Sequence, residues 1–270
     1  MLRSPAVAGK FYPENPAELL QQIRNFVRAR PGPPQQRTQY RACLVPHAGY
    51  VYSGSVAGAV YERISFPKRI IVLGVRHFPY GEEAAILSEG LWRTPLGDAQ
   101  VDSELAARLL RTCPVLREDP IAHEREHSLE VQLPFLQVLR HGFTFIPIAL
   151  GTIRFDELVS VGQSLGKILL SDPDILLLTT SDCNHYEDDA TTRRKDHLAI
   201  EQILRFDPRG LFDVCRKHDI SMCGLGPTVA LLTALNLIGV KNAELVKYAT
   251  SADVSGDTSA VVGYAGILFR

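Results

Sequence analysis

The sequence predicts an α/β fold, a single domain over residues 1–270 with a central, largely parallel or mixed sheet flanked by helices. Short apolar runs that suit buried strands alternate along the chain with longer segments that have helical apolar spacing. Such alternation favours parallel strands covered on both faces. With 270 residues, 46% of them hydrophobic, the chain can bury a large core without disulfide bonds.

Three of the predicted strands are each followed by a histidine. These strands are predicted at residues 42–45, 69–74 and 174–180, and the histidines are His47, His77 and His185. Pro46 and Gly49 stop the first run, because proline removes a backbone donor and glycine favours a turn. In open α/β sheets ligands bind outside the carboxyl ends of the strands. We therefore expect the functional site at this edge of the sheet.

The remaining elements follow from local pattern. Apolar residues three or four apart predict helices, and Asp102 is a suitable N-cap for the third of them. Helices are predicted at 16–30, 53–61, 102–110, 123–139 with an interruption at Pro134, 155–170, 193–206, 208–218 and 227–237. Further strands are predicted at 84–87, 143–150, 244–250 and 260–269, a loop at 92–97 and an exposed connection at 31–36.

Composition excludes several classes of function. The 29 basic and 30 acidic residues give a net charge of −1 without a basic stripe, so we expect no nucleic acid partner. No apolar run approaches membrane-spanning length and the first residues lack the apolar core of a signal peptide, which predicts a cytoplasmic protein without a membrane partner. Five cysteines without C-x-x-C spacing indicate reduced thiols.

The strand-end histidines form a candidate metal site. Imidazole is a common ligand of transition metals, and a thiolate or carboxylate would complete a set of three protein ligands. Cys223 is the candidate third ligand, because a predicted helix begins near it and helix N-termini favour thiolates. Asp182 either orients a neighbouring histidine or caps the next helix. A nucleophilic pair of Cys223 and His185 is an alternative.

Residues 123–127, H-E-R-E-H, match the H-E-x-x-H pattern of zinc proteases. On a helix, His123 and His127 would share one face, with Glu124 as general base. Pro120 and Pro134 leave room only for a short helix, and a buried strand follows where such proteases need a helix with a third ligand. The sequence therefore favours a metal site at the strand ends, to which His127 and Glu130 are expected to be close.

Long motifs of this chain resemble the MEMO family, including its AmmeMemoRadiSam system protein B-like members. They are P-A-V-A-G-K-F-Y-P at 5–13, P-H-A-G-Y-V-Y-S-G at 46–54, G-x-x-H at 74–77, W-R-T-P-L-G-D at 92–98, E-H-S-L-E-V-Q-L-P-F-L at 126–136, S-D-C-N-H-Y at 181–186, M-C-G at 222–224 and V-V-G-Y at 261–264. The family resembles the class III extradiol dioxygenases in fold, which implies one α/β domain with a cleft at the strand ends.

The resemblance implies a metal site of two histidines and a cysteine, which fall here on His47, His77 and Cys223. It places His185 in the same cleft. The related dioxygenases have a carboxylate where this chain has a thiolate, and two imidazoles with a thiolate suit copper or zinc as well as iron. Arg76 stands where relatives often carry a small polar residue, next to the entrance of the expected cleft.

Two functions follow as hypotheses. In the first, the protein is an iron- or copper-dependent oxidoreductase in which His185 is the acid or base and Asp182 and His127 orient groups nearby. In the second, the cleft is a non-catalytic module that recognises a peptide or a partner protein. The resemblance also implies radical-SAM and AMMECR-type proteins as partners. The substrate is an unidentified small molecule or peptide.

Overall fold

The computed structural model describes residues 1–28 and 38–270. The predicted connection at 31–36 lies outside the described residues. The strands are β1 (Leu2–Arg3), β2 (Ala42–Val45), β3 (Arg69–Val75), β4 (Ala84–Ile86), β5 (Leu91–Thr94), β6 (Gly97–Val101), β7 (Arg117–Glu118), β8 (Thr144–Leu150), β9 (Ile175–Thr180), β10 (His185–Glu187), β11 (Ala243–Thr250) and β12 (Val261–Phe269). The helices are α1 (Pro16–Arg28), α2 (Tyr50–Tyr61), α3 (Ser103–Thr112), α4 (Ile121–Glu124), α5 (Leu133–Leu139), α6 (Phe155–Ser171), α7 (Asp189–Leu204), α8 (Pro208–Lys217), α9 (Leu225–Leu237) and α10 (Ala252–Ser255), with a 3₁₀ turn at Glu130–Gln132.

The described strands form one mixed sheet with a parallel centre, as predicted. The strand order through the sheet is β1-β5-β6-β8-β3-β9-β2-β12-β10, with β11 beside β12 and β4 beside both β7 and β8. β8, β3, β9 and β2 are mutually parallel, whereas β12 is antiparallel to β2. The carboxyl ends of the four central strands therefore meet at one edge, which we call the carboxyl edge.

Helices cover both faces of the sheet because the central strands are apolar on both sides. Along β3, Ile71 and Leu73 pack into a core with α3, α6, α8 and α9, while Ile70 and Val72 pack into a second core with α1, α2 and α5. Such alternation follows from the two-residue repeat of a strand. The prediction of a sheet buried on both faces is confirmed.

The close contact of α1 with α2 depends on small residues. A Cβ atom added at Gly54 would lie 2.4 Å from the Phe26 ring, and one at Gly58 would lie 2.7 Å from the Phe26 carbonyl oxygen. Glycine is needed at both positions, because a larger side chain would displace α1. The helix predicted at 53–61 is confirmed, and its small residues make this close contact possible.

Two local predictions are wrong. Residues 92–97 do not form a loop, because β5 and β6 pair as an antiparallel hairpin around Pro95. The proline marks only the turn, and the alternating strand pattern places Trp92 in the core. The predicted helix over 123–139 is divided into α4, the 3₁₀ turn and α5, with Pro134 in the first turn of α5.

The other predicted strands and helices are present close to their predicted limits, whereas β1, β7, β10 and α10 were not predicted. Asp102 caps α3 as predicted, since its carboxylate accepts a hydrogen bond from the Leu105 amide. All five cysteines are free thiols. Among residues 1–28 and 38–270, no helix has the length and apolar character needed to cross a membrane.

Candidate metal centre

Three histidines meet at the carboxyl edge of the sheet. His47 follows β2, His77 follows β3, and His127 lies between α4 and the 3₁₀ turn. Each offers one ring nitrogen within 4.8 Å of those of the other two. The ring centroids are 5.1 Å apart for His47 and His77, 5.7 Å for His47 and His127, and 4.5 Å for His77 and His127. Three ring nitrogens that all lie within 4.8 Å of one another can bind one metal ion.

His47 is fixed through both its backbone and its ring. Its amide donates a 2.8 Å hydrogen bond to the Asp182 carboxylate, which also accepts from the Ala48 amide. Its Nδ1 lies 2.7 Å from the Thr180 hydroxyl. The other ring nitrogen, Nε2, lies 3.1 Å from the Cys223 sulfur. The protein therefore holds Nδ1 and leaves Nε2 facing the other donors.

His77 is held by the buried carboxylate of Glu126. The His77 amide donates to Glu126 at 2.6 Å, and Nδ1 donates to the same carboxylate at 2.9 Å. Glu126 also accepts the Ser128 amide at 2.8 Å and lies 3.7 Å from Nδ1 of His127. A carboxylate behind a histidine fixes its tautomer and orients the ring of a metal ligand. Nε2 of His77 is thus the nitrogen available to an ion.

The lowered pKa values of His47, His127 and Glu126 favour the binding of a cation at this cluster. Burial lowers the pKa of His47 well below its ordinary value, and the nearby His77, His127 and His185 lower it further. Burial likewise lowers the pKa of His127 to about 4. Burial tends to raise the pKa of Glu126, but its hydrogen bond to His77 and the charges of His77 and His127 lower that pKa to about 2. At neutral pH the cluster therefore presents neutral imidazoles of His47 and His127 beside an ionised Glu126.

The N-terminal arm, residues 1–13, forms one wall of the site. The Phe11 ring lies 4.8 Å from that of His127, which in turn stacks on His77 with an angle of 21° between the rings. The Tyr50 amide at the start of α2 donates to the Phe11 carbonyl at 2.7 Å. His127 therefore packs against both the arm and His77.

Cys223 lies beside His47, but its thiol is not activated in the way the sequence suggested. The helix α9 begins at Leu225 with Gly224 as its N-cap, so Cys223 precedes the helix. The sulfur accepts a hydrogen bond from the Asp182 amide at 3.3 Å. Burial and the charge of Asp182 nevertheless raise the pKa of the thiol well above its ordinary value. The helix terminus alone does not produce a thiolate here.

His185 and Asp182 lie at the same edge and have different roles. Nδ1 of His185 donates to the Ser221 carbonyl at 2.9 Å, which leaves Nε2 as the ring nitrogen able to accept a proton. Asp182 binds the His47 and Ala48 amides and so fixes the turn after β2, rather than capping a helix. Burial raises the pKa of Asp182 to about 6, although these amide hydrogen bonds and the charge of His77 oppose the rise.

The H-E-R-E-H segment does not form a protease site. The helix α4 ends at Glu124, so His123 and His127 do not share a helical face. His123 is buried against Trp92, with ring centroids 5.8 Å apart, and burial lowers its pKa to about 3. Glu130, expected near the cleft, directs its carboxylate to Arg3 and the N-terminal arm instead. Only His127 of this segment joins the histidine cluster.

Three supporting residues were not identified from the sequence. Glu126 anchors His77, Thr180 contacts His47, and Gln132 donates from Nε2 to the Thr180 hydroxyl at 3.2 Å and to the Pro46 carbonyl at 3.1 Å. Thr180 is the second of two threonines that end the apolar run of β9, and Glu126 adjoins His127 in the longest motif. Polar residues at those two positions were the available signals.

The fold and the cluster together define an α/β protein with a candidate metal centre at the carboxyl edge of its sheet. Residues 3–268 match the profile of the family described as Memo-like protein. The chain belongs to this family. A MEMO1 family protein of Methanopyrus kandleri is 41% identical, and the alignment covers 100% of this chain and 99% of that protein. One from Thermotoga neapolitana is 40% identical, with 98% of each chain covered.

A solved structure supports the fold. The crystal structure of an uncharacterized protein from Escherichia coli K12 matches with a TM-score of 0.57 and 13% sequence identity. The match covers 83% of this chain and 99% of the other. At this identity the likeness concerns the architecture alone.

Proposed function

We propose that this protein binds a redox-active transition metal, iron or copper, at the carboxyl edge and uses it in the oxidation or reduction of a small molecule. Zinc is a further candidate for the ion. The observation that supports the proposal is the convergence of His47, His77 and His127, with Cys223 in contact with His47. Two imidazoles and a thiolate, the set that the family resemblance implies, suit copper, zinc and iron.

The donor set fits such an ion chemically. The imidazole of His47 is held neutral by burial, and Nδ1 of His77 is hydrogen-bonded to Glu126, so the Nε2 atoms remain for binding. The buried thiol of Cys223 would lose its proton to a bound cation, because coordination strongly favours the thiolate. A bound iron or copper would supply a one-electron redox couple and Lewis acidity.

The chain's own residues would then position a substrate and move its proton. Nε2 of His185 can accept or donate a proton because Nδ1 is held by the Ser221 carbonyl. Asp182 fixes the loop after β2, and the Glu126 carboxylate contacts the rings of both His77 and His127 and orients them. In this proposal His185 is the acid or base, His127 completes the wall of the site, and Asp182 and Glu126 are positioning residues.

Metal content tests the ligand assignment directly. We expect wild-type protein purified without chelator or affinity tag to contain close to one iron or copper per chain, measured by elemental mass spectrometry. His47→Ala and Cys223→Ala should each lose most of this metal, because each removes one of the proposed ligands. His197→Ala on the exposed face of α7 and Cys113→Ala in the core are matched controls that should retain it. Full retention in the His47 and Cys223 variants would contradict the assignment, as would wild-type protein that takes up no added metal.

Thr180 provides a second test that leaves every proposed ligand intact. Thr180→Val keeps the shape of the side chain but removes the hydroxyl. That hydroxyl lies 2.7 Å from Nδ1 of His47 and accepts a hydrogen bond from Gln132. Loss of such a partner typically weakens metal binding by about 10–100-fold. Competition with a chelating dye for zinc measures the affinity, and Thr180→Ser is the control that restores the hydroxyl. Equal affinities of the valine and serine variants would show that this contact does not orient His47.

An exposed apolar rim favours a second candidate function, a non-catalytic module that recognises a peptide or partner protein. Large exposed apolar side chains follow the ends of several strands at the carboxyl edge, in loops and in the first turns of α2 and α10 and in β10, and they are Val51, Tyr52, Phe78, Tyr80, Ile153, Tyr186 and Val254. Tyr186 is 78% exposed and Ile153 is 74% exposed. Such clusters mark interaction surfaces. Radical-SAM and AMMECR-type proteins are the partners we propose for this rim.

The two candidates predict different effects of His185→Ala. If the site is catalytic, this variant should abolish oxygen consumption by the metal-loaded protein with aromatic or thiol substrates. If the site only recognises a partner, His185→Ala should alter partner binding and no other property. Tyr186→Ser should then weaken partner binding more than His185→Ala does.

A further inference from the structure

A cavity lies at the opposite edge of the sheet from the histidine cluster. It has a volume of about 690 Å³ and opens where three strands begin, beside Lys68 before β3, Gly97 at the start of β6 and Thr144 at the start of β8. β3 spans the distance between the two edges with seven residues. At about 3.3 Å per residue this separates the sites by roughly 20 Å. A small molecule bound here would not reach the histidines.

Positive charge surrounds this cavity. Arg24 from α1, Lys68 and Arg140 at the end of α5 all line it. Among the described residues one carboxylate lines the cavity, that of Asp98, and it is bound by Arg93 through hydrogen bonds of 2.9 and 3.1 Å. In residues 1–28 and 38–270, no carboxylate forms an ion pair with any of the three lining cations. We call this site the basic cavity.

Arg140 is the most informative of these cations. Its Nε is buried and has no hydrogen-bond partner within the described part of the chain. Its Nη1 makes one long contact of 3.4 Å, to the carbonyl of the neighbouring residue. A guanidinium prefers planar, two-pronged acceptors such as carboxylate and phosphate, so this side chain has unused binding capacity.

Apolar side chains line the cavity as well, together with the polar Gln100, Gln137, His141 and Thr144. Leu20, Leu96, Val138 and Phe143 contribute to the wall, so the cations border a hydrophobic surface. Small-molecule sites typically have volumes of about 300–1,000 Å³ and combine apolar walls with a few placed polar groups. The basic cavity has this composition and size. A bare inorganic ion would use only the charged part of it.

We propose that the basic cavity binds a small organic anion, a carboxylate or phosphate attached to an apolar ring or chain. The anionic group would bind between Arg140, Arg24 and Lys68, and the apolar body would lie against Phe143 and Val138. The concave shape and the local charge on a chain of net charge −1 distinguish the site from a nucleic acid surface, which needs an extended basic stripe. The inference does not depend on the metal centre.

Calorimetric titration with simple probes tests the proposal. Phenyl phosphate and benzoate carry both the charge and the apolar ring, inorganic phosphate carries only the charge, and benzyl alcohol carries only the ring. We expect at least one of the two aromatic anions to bind with a Kd on the order of 1 mM or tighter. Inorganic phosphate and benzyl alcohol should each bind at least tenfold more weakly. Added salt should weaken the binding of the anion.

Variants locate the binding. Arg140→Gln and Arg24→Gln should each weaken the binding of the aromatic anion about tenfold or more, since each removes a charged hydrogen-bond donor. Arg194→Gln, an exposed arginine on α7, is the matched control and should bind like wild type. Arg24 is exposed, so its variant tests the site even if Arg140→Gln were to unfold. The proposal is overturned if neither aromatic anion binds, if inorganic phosphate binds as tightly, or if Arg24→Gln and a folded Arg140→Gln bind like wild type.

Discussion

Replacing Glu130 with alanine is expected to lower the free energy of unfolding by about 3–5 kcal/mol, because the change leaves a buried cation without its partner. Glu130 is fully buried and Arg3 is 2% exposed, with 2.7 Å between Nη1 and the carboxylate. The same carboxylate accepts hydrogen bonds from the amides of Ala6 and Val7 and from the Tyr12 hydroxyl at 2.6 Å. One side chain thus satisfies four donors of the N-terminal arm.

Loss of this anchor should also disturb the histidine cluster. The arm carries Phe11, whose ring packs against His127, so release of the arm removes one wall of the site. Urea unfolding followed by circular dichroism measures the stability, and limited proteolysis detects release of residues 1–13. Glu89→Ala, at an exposed loop position, is the control and should change stability by no more than about 0.5 kcal/mol.

Two further results bear on the role of Glu130. Glu130→Gln keeps the volume of the side chain and isolates the effect of the charge. Its free energy of unfolding should therefore lie between those of wild type and Glu130→Ala. If Glu130→Ala were as stable as Glu89→Ala, the arm would not be held by this ion pair. That outcome would also remove the proposed link between the arm and His127.

The sequence predicted the centre of the sheet because strands in a parallel sheet carry a strong local signal. The runs at 42–45, 70–73 and 175–178, within the predicted strands, are apolar without interruption, and each is followed by polar residues or a turn. Their parallel arrangement brings His47 and His77 together without any further information. The location of the site at the carboxyl edge was therefore predictable from pattern and topology.

The remaining features depend on contacts between distant parts of the chain. Cys223 lies 176 residues from His47, and no periodicity shows that their side chains meet. The helix predicted to begin near Cys223 made it a candidate ligand, and the family resemblance implied the same residue, but neither gave the contact itself. His127, which was expected near the site, reaches the cluster because α4 ends at Glu124, whereas the apolar spacing predicted a helix that runs on past it. The hairpin of β5 and β6 was missed because Pro95 was interpreted as part of a loop rather than as its turn.

Glu126→Gln is expected to weaken metal binding by about 10–100-fold while leaving every proposed ligand in place. One carboxylate oxygen accepts the His77 amide, and the other accepts Nδ1 of His77 and the Ser128 amide. A glutamine replaces one of these oxygens with an NH₂ group, which would face a donor. At least one of the hydrogen bonds that hold His77 is then lost, and the ring is no longer fixed.

The charge of Glu126 contributes as well. Its pKa is lowered to about 2 by the hydrogen bond to His77 and by the charges of His77 and His127, which outweigh the effect of burial, so the carboxylate is ionised under all ordinary conditions. A negative charge behind Nδ1 of His77 makes the Nε2 atom a better donor to a cation. Neutral glutamine removes this effect even if the ring keeps its position. Both consequences reduce affinity in the same direction.

A zinc titration in competition with a chelating dye measures this effect without oxidising the thiol of Cys223. Glu124→Gln is the matched control, since it lies two residues away, is exposed, and is the glutamate of the H-E-x-x-H pattern. Wild-type affinity in Glu124→Gln and reduced affinity in Glu126→Gln would assign the supporting role to the buried carboxylate. The reverse result would contradict this account of the site, because affinity would then depend on the general base expected of a protease rather than on the residue that orients His77.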